Sequence, residues 1–221
     1  MLNSIAATLL AFSAVTAPAS AAQGPHFPDP PPDKIVIDVV TVNGSGCPQG
    51  SAAVAVSTDN TKFTVTYSDY LAQVGVGAKP TDFRKNCQLS LVVHVPSGFT
   101  YAIAQTDYRG YANIKKGASF TEKANYYFQG MSQTIPVSHK FDGPKDDNWQ
   151  STDKIGVDQV VYAPCGEERN FNINTELRVD AGTSNTKETT SFATMDSTDT
   201  DYSTVYHFHW QTCPPKPGTT R

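Results

Sequence analysis

The segment that decides the fold is FNINTELRVD, residues 171–180. Its odd-numbered positions hold Phe, Ile, Thr, Leu and Val, whereas its even-numbered positions hold Asn, Asn, Glu, Arg and Asp. Alternate side chains of an extended strand point to opposite faces. This pattern predicts an antiparallel strand with one face in the core and the other in solvent.

The same alternation is found further out along the chain, in residues 63–67 (FTVTY) and 89–95 (LSLVVHV). Turn-forming residues separate these segments: a hairpin turn is predicted at residues 58–60 (TDN), a turn at 96–98 (PSG) and a longer loop at 143–148. The chain therefore reads as a succession of short antiparallel strands.

The strands are too numerous for one flat sheet, since roughly ten to twelve are expected. No segment has a convincing helical period, and residues 68–82 are predicted to be irregular or briefly helical. We predict an all-β fold, an antiparallel β-sandwich with jelly-roll-like topology, with a partly closed barrel as the alternative.

Four cysteines in 221 residues indicate an oxidised, exported protein, because none of their spacings resembles a zinc or redox C-x-x-C motif. Four cysteines allow three pairings. We prefer Cys47–Cys87 with Cys165–Cys213, since each bridge then closes one half of the chain.

The domain organisation follows from composition. Residues 1–21 are predicted to be a signal peptide, with an apolar stretch followed by Ala-Ser-Ala at positions 19–21. Residues 22–33 form a proline-rich lead-in, residues 34–213 a single β-sandwich domain, and residues 214–221 a polar tail. We therefore expect a secreted, extracellular protein.

Charge and hydropathy argue against several partners. The net charge of −4 and a pI near 5.7 provide no basic surface for nucleic acid. No segment after the leader has the roughly 18 consecutive apolar residues of a membrane span. We expect neither nucleic-acid nor membrane binding, no cofactor, and a monomer.

Signatures of catalysis are missing from the sequence. It has no G-x-S-x-G, H-E-x-x-H or phosphate-binding loop. Oxidised cysteines offer no thiolate nucleophile, and the sequence does not show any two carboxylates converging as glycoside hydrolysis requires. These absences argue against an enzyme without deciding the question.

His207 and His209 are the one local pattern typical of a metal site, because residues at i and i+2 of a strand share a face. A third ligand would have to come from His94 or His139. The simpler interpretation is favoured: the aromatic residues alternating with the two histidines form the inner face, and the histidines face solvent.

Tyrosines between residues 98 and 112 are the best candidates for recognition. Tyr101 is predicted in a strand, while Tyr108 and Tyr111 are predicted to flank a turn at Arg109-Gly110. Exposed tyrosines can stack on sugar rings or anchor a protein interface. The alternative is that these rings pack inside the sandwich.

Asn43, in the sequon Asn43-Gly44-Ser45, is a candidate glycosylation site.

Several segments together resemble a known family. They are GSGCPQG (44–50), RKNCQL (84–89), GFTYAIAQTDYRGYA (98–112), YYFQG (126–130), CGEERNFNINTELRV (165–179), MDSTD (195–199) and YHFHWQTC (206–213). They are similar to the secreted family described as domain of unknown function 4360, over about residues 34–213. The resemblance implies a small secreted four-cysteine protein of the kind found in fungi and bacteria. It implies no activity.

The function predicted from these observations is a non-catalytic extracellular module that binds cell-wall polysaccharide or a protein partner. One alternative is a secreted hydrolase or a histidine-based metal enzyme. Another is a secreted inhibitor or effector protein.

Overall fold

A computed structural model describes residues 29–156, 158–195 and 203–215. The predicted signal peptide, residues 22–28 of the lead-in, residues 196–199 of the MDSTD segment and residues 216–221 of the tail lie outside these ranges. The described residues form strands and no helix, so none of them makes a helix long and apolar enough to cross a membrane.

Twelve strands lie in the described ranges. They are β1 Val36–Asn43, β2 Ala52–Val56, β3 Lys62–Tyr67, β4 Leu71–Gly75, β5 Arg84–His94, β6 Phe99–Ile114, β7 Ser119–Phe128, β8 Ile135–Asp142, β9 Lys145–Lys154, β10 Phe171–Asp180, β11 Thr190–Thr194 and β12 Thr204–Thr212.

These strands form two antiparallel sheets. The five-stranded sheet has the order β1-β5-β10-β7-β8. The seven-stranded sheet has the order β2-β3-β12-β6-β11-β4, with β9 paired to the other edge of β6. Neighbours in the five-stranded sheet are mostly distant in sequence, so its outer face combines residues from separate segments. The predicted antiparallel β-sandwich is confirmed.

The two disulfides pair as preferred from the sequence. Cys47 in the loop after β1 is bonded to Cys87 on β5, with the two Cα atoms 5.2 Å apart. Cys165, before β10, is bonded to Cys213, after β12, with a Cα separation of 5.7 Å. The second bridge ties the loop between β9 and β10 to the residue that follows β12.

The core is dominated by aromatic rings contributed by both sheets. Tyr206 stacks on Phe63 at 4.7 Å, and Tyr101 meets Phe128 edge to face at 5.5 Å. Trp210 is only 3% exposed, and its Nε1 donates a hydrogen bond of 2.9 Å to the carbonyl oxygen of Asn60. The expectation that the aromatic side chains of β12 face inward is confirmed.

The turn predicted at Arg109-Gly110 is wrong. Strand β6 continues through both residues, and Gly110 is paired with Trp149 of β9. A Cβ atom on Gly110 would lie 2.0 Å from the carbonyl oxygen of Thr194 and 2.8 Å from Trp149 Nε1. Glycine is therefore required there for the close approach of a neighbouring chain segment, and it does not mark a turn.

Two further sequence expectations need correction. The predicted loop at 143–148 is confined to Gly143-Pro144, because β9 begins at Lys145. Its polar first residues are tolerated since they lie at the solvent-exposed edge of the sheet. The segment 68–82 contains a strand, β4, where an irregular or helical segment was expected. The turns predicted at 58–60 and 96–98 are confirmed.

Candidate functional site

The tyrosines predicted to bind a ligand are mostly inside the protein. Tyr108 is fully buried and Tyr101 is 2% exposed, because both point from β6 into the sandwich. Tyr111 and Arg109 lie on the outer side of β6 and are half-buried. The Tyr111 hydroxyl donates a hydrogen bond to Asp146. These four residues therefore form no exposed aromatic surface, since the predicted turn that would have exposed them does not exist.

His207 and His209 both lie on the outer side of β12 but have different partners. His207 Nε2 is 2.8 Å from Asp107 Oδ2, and His209 Nδ1 is hydrogen-bonded to the Tyr162 hydroxyl. Burial lowers the pKa of His209. Burial alone would raise the pKa of Asp107, but hydrogen bonds from Thr152 and His207 outweigh it and leave that pKa lowered.

Neither His94 nor His139, the candidates for a third ligand, forms a metal-binding group with His207 and His209. His94 contacts Asp38 at 2.8 Å and Glu168 at 3.1 Å, while His139 contacts Asp153 at 2.5 Å. Within the described ranges, no group of three or more histidine, cysteine and carboxylate side chains is placed to hold a metal ion. Each of these histidines is instead held by its own partner.

Two carboxyl groups meet in the interior, between β7 and β9. Glu122 is fully buried, and neither of its oxygens has a hydrogen-bond partner among the described residues. Burial, together with the negative charge of Asp153, raises the pKa of Glu122 to about 9. The group is thus protonated at neutral pH. It lies too deep to contact a polysaccharide chain.

A groove on the outer face of the five-stranded sheet has the properties of a binding site. It is an open depression with a volume of about 750 Å³, within the range of ligand sites. Its outward side chains come from four adjacent strands: Arg84, Asn86 and Gln88 on β5, Asn174 and Glu176 on β10, Lys123 and Asn125 on β7, and Pro136 and Ser138 on β8. Amides are the largest group among them, with four of the nine side chains.

Strand register arranges these side chains in rows. Asn174 is paired with Gln88 on one side and with Asn125 on the other. Asn43, exposed at the end of β1, is paired with Gln88 and extends the row. Four amide side chains thus lie side by side across four strands.

The next row holds the charged residues Glu176 and Lys123. Glu176 is paired in register with Asn86 and Lys123. Its Oε2 accepts hydrogen bonds from Arg84 Nε at 2.7 Å and from Nη2 at 2.6 Å. Such a partly exposed ion pair contributes little to stability, but it keeps the Glu176 carboxylate from presenting an unbalanced charge to a ligand.

The amides of the first row are largely available to a ligand. No hydrogen bond to another described residue occupies the side chains of Gln88 and Asn174. Asn125 Oδ1 accepts a hydrogen bond from the Thr134 hydroxyl, which leaves its Nδ2 free to donate. The row therefore offers both donors and acceptors to a polar, uncharged molecule.

A smaller cavity of about 250 Å³ lies at the end of the sandwich, near Tyr101 and Arg169. Its arginine is already engaged, since Arg169 donates to Glu167 at 2.9 Å and 2.7 Å and to the carbonyl oxygen of Gln129 at 3.0 Å. It is smaller than most sites that enclose an organic ligand. The groove is the better candidate.

Comparison with known proteins places the chain in a family. Residues 33–213 match the family described as Domain of unknown function (DUF4360). The chain belongs to this family. It is also similar to an "Uncharacterized secreted protein" of Arthroderma benhamiae, with 38% identity over 184 residues that cover 83% of this chain and 74% of that protein. The predicted resemblance is confirmed, and the protein is secreted, in agreement with its two disulfides.

Sequence reasoning did not find the groove of this DUF4360 domain. The available signal was weak: Gln88, Asn125 and Asn174 each occupy the outward positions of an alternating strand. Outward polar residues are ordinary in antiparallel sheets. Only the pairing of β5, β10 and β7 brings the three amides into one row.

Proposed function

We propose that this secreted protein binds cell-wall polysaccharide through the groove on its five-stranded sheet and catalyses no reaction. The observation that carries the proposal is the row of amide side chains, in which Gln88, Asn174 and Asn125 line that groove and Asn43 on β1 extends the row beyond it. A polysaccharide presents hydroxyl groups at regular intervals, and each hydroxyl both donates and accepts a hydrogen bond. Asn and Gln side chains do the same.

Rigidity supports the proposal. The groove residues project from strands, and Cys87, which lies between Asn86 and Gln88, is tied to Cys47. A backbone fixed by strand pairing and by a disulfide needs no rearrangement when a ligand binds. A binding module that works outside the cell needs such a pre-formed surface.

Binding without catalysis is preferred because the groove holds no arrangement of acids suited to glycoside hydrolysis. Its carboxylate, Glu176, is paired with Arg84. Glu122 and Asp153 do lie near each other, but inside the sandwich. Hydrolysis needs a pair of carboxyl groups, with one on each side of the scissile glycosidic bond.

The test is retention of the purified mature protein on insoluble cell-wall polysaccharides, followed by calorimetry with soluble fragments. Gln88→Ala combined with Asn174→Ala should weaken binding by roughly a hundredfold, about tenfold for each amide lost. Gln150→Ala is the matched control, because Gln150 is an exposed amide on β9 of the other sheet. Its binding should be unchanged.

Two results would overturn the proposal. One is the absence of retention on any wall polysaccharide, which would favour a protein partner. The other is retention that the double variant leaves intact, which would move the site away from the groove.

A further inference from the structure

The four amides of the row have a spacing that restricts the ligand. Asn43, Gln88, Asn174 and Asn125 occupy paired positions on β1, β5, β10 and β7. Adjacent strands lie about 4.8 Å apart, so the row extends over about 14 Å perpendicular to the strands. The positions repeat at a nearly constant interval because each is the register partner of the next.

This interval is close to the length of one sugar unit in an extended β-linked chain. A β-1,4-linked glycan forms a straight ribbon in which successive units are turned over, so that every unit still places hydroxyl groups on both edges. An α-1,4-linked glucan coils, and a branched glycan cannot lie flat along a straight row. A straight, periodic set of donors and acceptors therefore matches an extended ribbon best.

The uncharged side chains of the row favour an uncharged ligand. The row holds four uncharged side chains, whereas Glu176 and Lys123 lie in the neighbouring row and Arg84 lies one row beyond, with its guanidinium on Glu176. Arg84 and Glu176 neutralise one another, so Lys123 is the charged side chain that the groove presents to a ligand. An uncharged chain needs no ionic partner and can place its hydroxyls on the amides directly.

The geometry points to an unbranched, uncharged β-1,4-linked glycan that lies across the strands, with one sugar unit over each amide and Asn43 under the last. This inference rests on the proposed function and makes it specific in linkage, direction and length. Four sugar units fill the row. The residue at one end of the site is also the asparagine of the Asn43-Gly44-Ser45 sequon, so a glycan attached there would occupy the last position.

The experiment measures the affinity of β-1,4-linked oligosaccharides of two to six units by calorimetry. The protein is exported to a bacterial periplasm, where the disulfides form and the sequon remains unmodified. Affinity should rise with each unit up to four and then level off. Asn174→Ala should weaken tetramer binding about tenfold. Asn43→Ala should abolish the gain from the fourth unit while leaving trimer affinity unchanged, and Gln150→Ala should change nothing.

The outcomes separate this inference from the proposed function. Three results would overturn the row as the binding site, even where polysaccharide binding persists. They are an affinity that does not depend on oligosaccharide length, an equal affinity for α-1,4-linked oligosaccharides of the same size, and tetramer binding that Asn174→Ala leaves unchanged. Failure to bind any wall polysaccharide or oligosaccharide would overturn both.

Discussion

Replacing Glu122 by glutamine should remove a pH-dependent penalty on the stability of the folded protein. The Glu122 carboxyl is fully buried between the sheets. Burial, reinforced by the charge of Asp153, raises its pKa from 4.5 to about 9. The titratable groups that face it are Asp153 on β9, His139 on β8, the Tyr206 phenol on β12 and the Tyr70 phenol just before β4. Glutamine has nearly the same shape and stays uncharged at every pH.

The size of the effect follows from proton linkage. Between pH 4.5 and about 9 the folded protein keeps a proton on Glu122 that the unfolded chain has lost. The free energy of unfolding therefore falls as pH rises through this window, by about 1.4 kcal/mol per pH unit. From pH 5 to pH 8 the native protein should lose about 4 kcal/mol of stability that the glutamine variant keeps.

The assay is urea denaturation of both proteins at pH 5, 6, 7 and 8, followed by tryptophan fluorescence. The quantity compared is the difference in the free energy of unfolding, because the other titrating groups are present in both proteins. Glu188→Gln, at an exposed position between β10 and β11, is the control and should show no trend. A difference for Glu122→Gln that changes by less than about 1 kcal/mol across this range would refute the reasoning, since it would mean that Glu122 is ionised in the folded protein.

Three other changes test the fold. Replacing both Cys165 and Cys213 by serine opens a loop of 48 residues. Chemical denaturation should show a free energy of unfolding lowered by up to about 4 kcal/mol, and no change would mean that the bridge does not constrain the unfolded chain. Trp210→Ala should cost about 3–5 kcal/mol of unfolding free energy, and a loss below about 1 kcal/mol would contradict its burial. Tyr108→Phe removes a buried hydroxyl that has no hydrogen-bond partner among the described residues. Calorimetry should therefore show a free energy of unfolding changed by less than about 1 kcal/mol, with glycan binding unaffected. Weakened glycan binding would show that Tyr108 takes part in recognition.

Much of the fold was predictable because alternation is a local property. Residues 171–179 alternate over their whole length, and β10 is the strand they form. Of the three pairings that four cysteines allow, the preferred one, in which each bridge closes one half of the chain, is the one that forms. Local pattern failed at Gly110, where glycine is needed for a contact with Thr194, 84 residues later in the sequence. A single sequence contains no sign of that contact.

The candidate site was not predictable for the same physical reason. Asn43, Gln88, Asn125 and Asn174 come from four separate segments, and strand pairing alone brings them together. The tyrosines drew attention because aromatic side chains are frequent at binding sites, yet Tyr101 and Tyr108 are used for the core. Composition could indicate a binding protein, but the location of its polar row depends on the register of the sheet.

The most direct measurement of the central claim is a titration of ¹⁵N-labelled protein with a β-1,4-linked tetrasaccharide, followed through the side-chain NH₂ signals of asparagine and glutamine. The account predicts that the signals of Gln88, Asn125 and Asn174 shift together with one dissociation constant, while that of Gln150 stays fixed. Saturable binding that leaves those three signals unmoved, or no binding at all, would contradict it.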